Sequence, residues 1–248
     1  MSTIEFHVVI PARFGSTRFP GKPLALLAGR PVIGHVWRQA GASGARSVVV
    51  ATDDERIASA ARAFGADVQL TDAGHRSGTE RAAEVADRRG WSDGAIVVNV
   101  QGDAPLVPPA AIDQVAALLA ASPAAGMATL CTPISTAEDY RSAHVVKVVA
   151  DAAGRALYFS RAPIPALSHG ATGLPESFRH VGLYAYRAAA LRALAAAPPC
   201  ALEQAESLEQ LRALWLGIEI RVAPARTLLG PDVDTPEDLE RAARFLLR

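Results

Sequence analysis

The stretch VVIPARFGSTRFPGKP, residues 8–23, decides the fold. The apolar run from Phe6 to Ile10 predicts a buried strand, and Pro11 begins a loop with glycines, prolines, two hydroxyls and three cations. Loops at the carboxyl ends of strands bind ligands in open α/β sheets. Free backbone N–H groups beside Arg and Lys side chains are typical of polyphosphate sites.

Two common phosphate loops are excluded by spacing. Five residues separate Gly15 from Gly21, and Pro23 follows Lys22, whereas a P-loop needs four residues between its glycines and then Lys-Ser/Thr. No Gly-x-Gly occurs anywhere in the sequence, so the dinucleotide fingerprint is absent as well. A surface loop with solvated charges is the alternative, but it explains poorly why three cations follow a buried strand.

Apolar periodicity predicts strands and helices in alternation after this loop. A helix is expected over 31–42, a strand over 46–52, a helix up to about Phe64 and a short strand over 67–70. This β-α-β-α-β order predicts a parallel sheet covered on both faces. Further on, strands are predicted near 95–100, 126–132, 142–149, 156–161 and 179–187, and helices at 78–89, 109–121, 201–216 and after Thr235.

Composition excludes several classes of function. The 248 residues carry 25 basic and 25 acidic side chains, so no charge excess points to nucleic acid or to a membrane surface. The N-terminus lacks the pattern of a signal sequence and no apolar run reaches the length of a membrane span, so the cytoplasm is the expected location. Lysine occurs only at 22 and 147, which draws attention to both positions.

Two carboxylates stand where a metal could be held. Asp103 follows the predicted strand 95–100 between Gly102 and Ala104-Pro105. Asp234 lies just before a helix that Thr235 would cap. Mg²⁺ takes one or two carboxylates and completes its shell with water and phosphates. The alternatives are a turn-forming Asp at 103 and a capping Asp at 234.

Other side chains suit a carboxylate-bearing ligand. Arg161 ends a predicted strand before two prolines, where it could grip a carboxylate or form only a surface ion pair. His180 and Tyr184 fall on one face of a strand with Gly182 between them, as site residues or as a packed pair. Arg81 lies near a helix start, where a cation usually has an anionic partner. The helical spacing of Glu203, Glu206 and Glu209 predicts mostly a solvated helix face.

These segments resemble, in order, the signature of the CMP-KDO synthetases (3-deoxy-manno-octulosonate cytidylyltransferases) of the sugar nucleotidyltransferase superfamily. The matching stretches run from Val8 to Leu239: PAR…STR.PGKPL, SGTER, QGDAP, YFSRAPIP, RH.GLYAYR, LEQLRALW and VDTPEDL. The sequence departs from the family pattern at Ala104, where QGDEP has Glu, and at His144, where the family usually has Asn or Ala.

The resemblance implies a fold and a reaction. The fold is a Rossmann-like three-layer α/β/α nucleotidyltransferase with a mixed central sheet and a smaller β-rich excursion. The reaction is activation of 3-deoxy-D-manno-octulosonate (KDO) with CTP to CMP-KDO and pyrophosphate, for lipopolysaccharide biosynthesis, with Mg²⁺ as cofactor. The resemblance further implies a homodimer.

It also implies a role for each candidate. CTP would be bound by Arg13, Ser16, Lys22, Gln101 and Asp103, with Arg18 as a further candidate; Mg²⁺ would be bound by Asp103 and Asp234. The residues expected to hold the sugar acid are Arg81, Arg161, His180, Tyr184, Glu209 and Gln210.

The chain is expected to form a single domain, 1–248. Its CTP-binding part would be mainly 1–125 and 190–248, and its sugar-binding and dimerisation part about 125–190. Two alternatives stay open: a cytidylyltransferase for another acid sugar (8-amino-KDO or sialic acid), and a catalytically silent nucleotide-binding protein. Ala104 gives the second slight support, whereas Lys22, Asp103 and Asp234 speak against it.

Overall fold

A computed structural model describes residues 4–15 and 18–246. The predicted triphosphate contact Ser16 therefore lies outside the described residues. No helix within those two ranges is long and apolar enough to cross a bilayer.

A mixed nine-stranded sheet forms the centre of the molecule. Its main path runs β11-β7-β10-β6-β1-β4-β5, with β6, β1, β4 and β5 parallel to one another and β10 antiparallel to β6 and β7. The strands of this path are β1 (Phe6–Ala12), β4 (Ser47–Thr52), β5 (Asp67–Leu70), β6 (Ile96–Asn99), β7 (Met127–Pro133), β10 (Phe178–Arg187) and β11 (Ile220–Pro224). The predicted mixed sheet is thus confirmed.

Helices cover both faces of this sheet, as the near-continuous Val and Ile runs of its central strands require. One apolar cluster joins the sheet to α1 (Val32–Gly41), α2 (Glu55–Ala63) and α4 (Pro109–Ala120). The other joins it to α3 (Gly78–Arg88), α6 (Ala188–Ala196) and α8 (Gln210–Trp215). Val8 and Ile10 point to the first cluster and Val9 to the second, so β1 lies at the centre of all three layers.

The β-rich excursion branches from β10. β8 (Lys147–Ala150) pairs with the first part of β10 and with β9 (Ala156–Ser160), both antiparallel. A short helix, α5 (Ala137–Arg141), connects β7 to this branch, and the hairpin β2 (Leu26–Leu27) and β3 (Arg30–Pro31) forms a separate small sheet near the N-terminal loop.

The helix predicted over 201–216 is wrong as a single element. The chain forms α7 (Ala201–Glu206), then turns at Ser207, which has the left-handed φ of 52°, and continues as α8. Glu203 and Arg212 make a two-point ion pair across this turn, at 2.7 and 2.5 Å. Side chains nine residues apart could not meet in one straight helix, so the pair requires the two helices to fold back on each other.

The last helix, α9 (Pro236–Leu246), returns the C-terminus to the N-terminal loop. Its capping box is as predicted: the Asp238 N–H bonds the Thr235 hydroxyl, and the Asp238 carboxylate accepts the Thr235 N–H. Ala242 packs the helix into a small cluster with Leu27, Leu106 and Val233. This docking fixes the loop that carries Asp234.

Candidate active site

The first cavity, of about 250 Å³, opens at the carboxyl ends of β1 and β6. Five cationic side chains dominate its wall, and two carboxylates also line it. Its lining includes Arg13, Arg18, Lys22, His75, Arg76, Ser77, Arg81, Gln101, Asp103 and Asp234. The structure therefore brings together four loops that are far apart in sequence.

Lys22 lies between the two predicted metal ligands. Its Nζ is 2.6 Å from Asp103 Oδ2 and 3.0 Å from Asp234 Oδ1, and its side chain is only 12% exposed. Arg18 reaches Asp234 as well, at 3.0 Å, from a side chain that is largely exposed. Two carboxylates that converge on one cation are the kind of oxygen ligand that Mg²⁺ takes, so the donor set fits this metal.

A main-chain hydrogen bond sets the spacing of these two loops. The Val233 N–H bonds the Asp103 carbonyl at 2.8 Å. On the other side, Gly102 passes so close to β1 that an added Cβ would lie 2.6 Å from the Pro11 carbonyl oxygen. Asp103 is thus held between β1 and the C-terminal loop, and only glycine fits at 102.

The N-terminal loop is closed by its own backbone. The Gly21 N–H bonds the Phe14 carbonyl at 3.0 Å, with Gly21 in the left-handed region at φ 72°. The Phe14 ring lies against Gly21 on one side, and the Arg56 guanidinium stacks on the ring 3.4 Å from its centre. A short 3₁₀ turn, Lys22–Leu24, then directs Lys22 into the cavity.

The N-terminus of α3 forms the opposite wall. Ser77 caps it by accepting the Glu80 N–H at 3.2 Å, and the Glu80 carboxylate accepts the Arg76 N–H at 2.7 Å. Burial alone would raise the pKa of Glu80, but its hydrogen bonds from Arg76 hold that pKa below the ordinary value. Ser77 and Glu80 are thus explained by capping, as the local sequence suggests.

Arg81 is buried and lines this first cavity. Its guanidinium is 3.1 Å from Asp53 and bonds the Thr71 hydroxyl. Burial lowers its pKa, while the Asp53 charge opposes that shift. Arg81 therefore lies with Arg13 and Arg76, and the other predicted sugar-acid residues lie elsewhere.

Arg161 is anchored by Glu206, a residue whose helical spacing predicts only a solvated face. The Glu206 carboxylate accepts the Arg161 N–H at 2.7 Å and the Ser160 hydroxyl at 2.6 Å, and the Glu206 carbonyl accepts Arg161 Nε at 2.7 Å. Arg161 Nη1 bonds the Ala143 carbonyl at 2.9 Å. No local signal predicts that a carboxylate will accept a hydrogen bond from a backbone N–H 45 residues away.

Lys147 is fully buried, although it lies on a strand. Its ammonium donates to the carbonyls of Ser142, Val145 and Arg161 at 2.8, 2.6 and 2.5 Å. Burial lowers its pKa. The second lysine of the chain is thus a link between the start of β8 and the Arg161 turn.

His180 and Tyr184 are close together, with ring centres 5.2 Å apart. The His180 ring also meets Phe159 edge-on at 5.1 Å, and its Nε2 is 3.0 Å from the Thr129 hydroxyl. Burial lowers the pKa of His180 to about 3. The imidazole is therefore neutral near pH 7.

A second and larger cavity, of about 970 Å³, meets the first one at Gln101 and Asp234. His180 and Gly182 line it on one side and the segment 227–232 with α9 on the other. Its wall carries charges of both signs, from the arginines Arg179, Arg241 and Arg244 and from the aspartates Asp232, Asp234 and Asp238. Sequence patterns did not single out these three arginines, because nothing local relates α9 to β10.

Glu209 and Gln210 begin α8 next to α3. Glu209 accepts a hydrogen bond from Thr79 of α3 and is 3.6 Å from Arg212, while Gln210 is buried. Thr79 thus connects Glu209 to the first turn of α3, whose Gly78 lines the first cavity. Neither residue lines either cavity described above.

Known proteins resemble the chain over nearly all of its length. A family model described as cytidylyltransferase matches residues 7–220. A 3-deoxy-manno-octulosonate cytidylyltransferase from Pseudomonas syringae pv. tomato is 56% identical, with 98% of this chain and 99% of its own covered. One of the same description from Halorhodospira halophila is 54% identical over 99% and 98%.

Two solved structures of cytidylyltransferases resemble the fold of this chain. A CMP:2-keto-3-deoxy-manno-octonic acid synthetase complexed with CTP superposes with a TM-score of 0.90 at 41% identity, and 98% of each chain is covered. A cytidylyltransferase from Leptospira borgpetersenii reaches 0.61 at 16% identity, covering 96% of this chain and 84% of its own, which shows the shared fold alone.

Proposed function

Since the chain belongs to the cytidylyltransferase family, and within it to the 3-deoxy-manno-octulosonate cytidylyltransferases, we propose that it transfers the cytidylyl group of CTP to KDO. The products are CMP-KDO, for lipopolysaccharide biosynthesis, and pyrophosphate. The observation that carries this proposal is the convergence of Lys22, Asp103 and Asp234 at one point of the first cavity.

The reaction is an in-line displacement at the α-phosphorus of CTP. The anomeric hydroxyl of KDO forms the new P–O bond and loses its proton, and the bond to the β-phosphate breaks as pyrophosphate leaves. Catalysis of this kind consists mainly of positioning and charge stabilisation. Arg13 and Lys22 would bind the phosphate oxygens on which negative charge develops.

Asp103 and Asp234 would hold Mg²⁺ between their loops. When bound, the cation would neutralise phosphate charge and favour ionisation of the attacking hydroxyl. The protein supplies the fixed distance between the two carboxylates, through the bond from Val233 N–H to the Asp103 carbonyl. Gln101 lies where the two cavities meet and would face both substrates.

For the sugar acid we propose Arg161, His180, Tyr184, Glu209 and Gln210. Neutral His180 and Tyr184 suit hydroxyl groups, and arginine suits the carboxylate. Arg81, by its position beside Arg13 and Arg76, suits the nucleotide better than the sugar. Because the reaction consumes CTP, we propose the cytoplasm as its location.

We also propose that a second copy of the chain covers the outer side of β9. That strand pairs only with β8 among the strands described here, and its Leu157 is 55% exposed. Trp215, on the neighbouring α8, is 63% exposed. Light scattering should give a dimer mass, and the double variant Leu157→Glu, Trp215→Glu should give a monomer.

The test of function measures pyrophosphate release from CTP and Mg²⁺ with KDO, with sialic acid or with no sugar. We expect release with KDO alone and a loss of at least a hundredfold in Asp234→Asn. Asp93→Asn, an exposed carboxylate in an ion pair with Arg192, is the control and should keep full activity. Pyrophosphate release with sialic acid in place of KDO would mean that the substrate is sialic acid. Tight CTP binding without any pyrophosphate release would favour the catalytically silent nucleotide-binding protein.

A further inference from the structure

Thr129 lies fully buried in the middle of β7, opposite an irregular part of β10. Val181 pairs with Leu130 and Tyr184 with Thr129, so two extra residues of β10 bulge out between these pairs. The bulge turns two carbonyls toward the Thr129 hydroxyl. Oγ1 is 2.9 Å from the Val181 oxygen, 2.9 Å from the Leu183 oxygen and 3.0 Å from His180 Nε2.

The hydrogen of this hydroxyl points to one of the two carbonyls and not to His180. A carbonyl oxygen can accept but cannot donate, and a hydroxyl has a single hydrogen with two lone pairs. If that hydrogen pointed to His180, the hydroxyl oxygen would face two carbonyl oxygens at 2.9 Å with no hydrogen between them. Thr129 must therefore donate to a carbonyl and accept from His180.

The tautomer of His180 follows from this direction. A ring nitrogen that donates must carry a proton, so Nε2 is protonated. In a neutral imidazole the other nitrogen, Nδ1, is then a bare acceptor. None of the described residues bonds Nδ1, and the ring lines the second cavity beside Gly182, which has no side chain to cover it.

We propose that Thr129 is a positioning residue that fixes His180 as its Nε2–H tautomer, so that Nδ1 accepts a hydrogen bond from a hydroxyl of the acid sugar. This inference rests on the proposed function and specifies it. An unprotonated nitrogen and a carboxylate oxygen are both hydrogen-bond acceptors and repel each other. His180 would therefore bind a hydroxyl of the substrate, and an arginine would bind its carboxylate. His180 and Arg161 would therefore bind different groups of the sugar: Arg161 the carboxylate and His180 a hydroxyl.

The first measurement reads the tautomer directly. Long-range ¹H–¹⁵N spectra of the whole protein distinguish protonated from bare imidazole nitrogens, and His180→Gln assigns the signals. We expect a protonated Nε2 and a bare Nδ1 in the wild type and in Thr129→Ser, which keeps the hydroxyl. In Thr129→Val, which has the same shape without the hydroxyl, protonation should move partly to Nδ1.

The second measurement is kinetic. Thr129→Val should raise the KM for KDO about five- to tenfold, the worth of one hydrogen bond, while kcat and the KM for CTP stay within about twofold. Thr129→Ser should restore the KM. Thr52→Val removes another fully buried hydroxyl, from β4, and controls for a general loss of stability.

Two results would overturn the inference. One is a protonated Nδ1 in the wild type. The other is a Thr129→Val protein whose tautomer and KM for KDO are unchanged, or whose parameters shift no differently from those of Thr52→Val. The spectra need no turnover, so they test the tautomer even if KDO proves not to be the substrate.

Discussion

At the scale of the residue, His180 shows how burial removes a charge. Its ring packs between Phe159 and Tyr184, and its folded pKa of about 3 lies far below the ordinary 6.5. Below pH 6.5 the unfolded chain binds a proton at this side chain that the folded chain does not bind. The folded state must therefore lose stability as the pH falls from 6.5 toward 3, and the slope due to His180 fades as the pH rises above 6.5.

This residue gives a pH prediction for stability. The loss attributable to His180 is at most about 1.4 kcal/mol per pH unit, because one imidazole binds at most one proton. His180→Gln should show a smaller loss of unfolding free energy between pH 6.5 and 5 than the wild type, measured by urea denaturation. Equal slopes for the two proteins would contradict a neutral His180.

At the scale of the element, the branch of β8 and β9 depends on Lys147. Lys147→Met keeps the buried stem but leaves three carbonyls without their donor, each worth about 1–3 kcal/mol. We expect a loss of at least about 3 kcal/mol in unfolding free energy. Since the planar guanidinium cannot place its donors as a compact ammonium does, Lys147→Arg should recover only part of this loss.

The measurement is urea unfolding followed by circular dichroism, with Arg155→Met as the control. Arg155 lies in the turn between β8 and β9 with an exposed side chain, so its loss should cost less than about 1 kcal/mol. A Lys147→Met protein as stable as the wild type would show that the branch does not need this link.

The elements also show what the sequence could predict and where it fails. The alternation up to Leu70, the helix cap at Ser77, the capping box at Thr235 and the strand that precedes Asp103 depend on local patterns, and the structure has them where expected. At Ser77 the box is not reciprocal, because Glu80 accepts the Arg76 N–H in place of the Ser77 N–H. The break at Ser207 depends on the ion pair between Glu203 and Arg212, which exists only after folding. Glu206 was assigned to a solvated face for the same reason, since its partners belong to another element.

At the scale of the molecule, the site joins the two ends of the chain. Lys22 comes from the N-terminal loop, and Asp234 is held by α9, whose Ala242 packs beside Leu27 and Val233. Resemblance anticipated that Asp103 and Asp234 would lie together. It did not anticipate how α9 and segment 227–232 line a second cavity, because that cavity forms from chain segments that share no local signal.

This arrangement predicts that undocking α9 disables the site. Ala242→Glu places an unpaired carboxylate in the small cluster, where burial is unfavourable. We expect CTP affinity in the presence of Mg²⁺ to fall at least tenfold while the sheet stays folded. Calorimetry and circular dichroism measure the two effects. Leu246→Glu, at a more exposed position of the same helix, should bind CTP normally; equal binding by both variants would contradict the prediction.

The bond from Val233 N–H to the Asp103 carbonyl also affects which positions of this loop can change during evolution. It joins main-chain atoms, so mutation of neighbouring side chains cannot remove it. The side chain at position 104 can therefore change without breaking the bond that holds the carboxylate beside it. Gly102 has no such freedom, and selection should hold it fixed while its neighbour diverges.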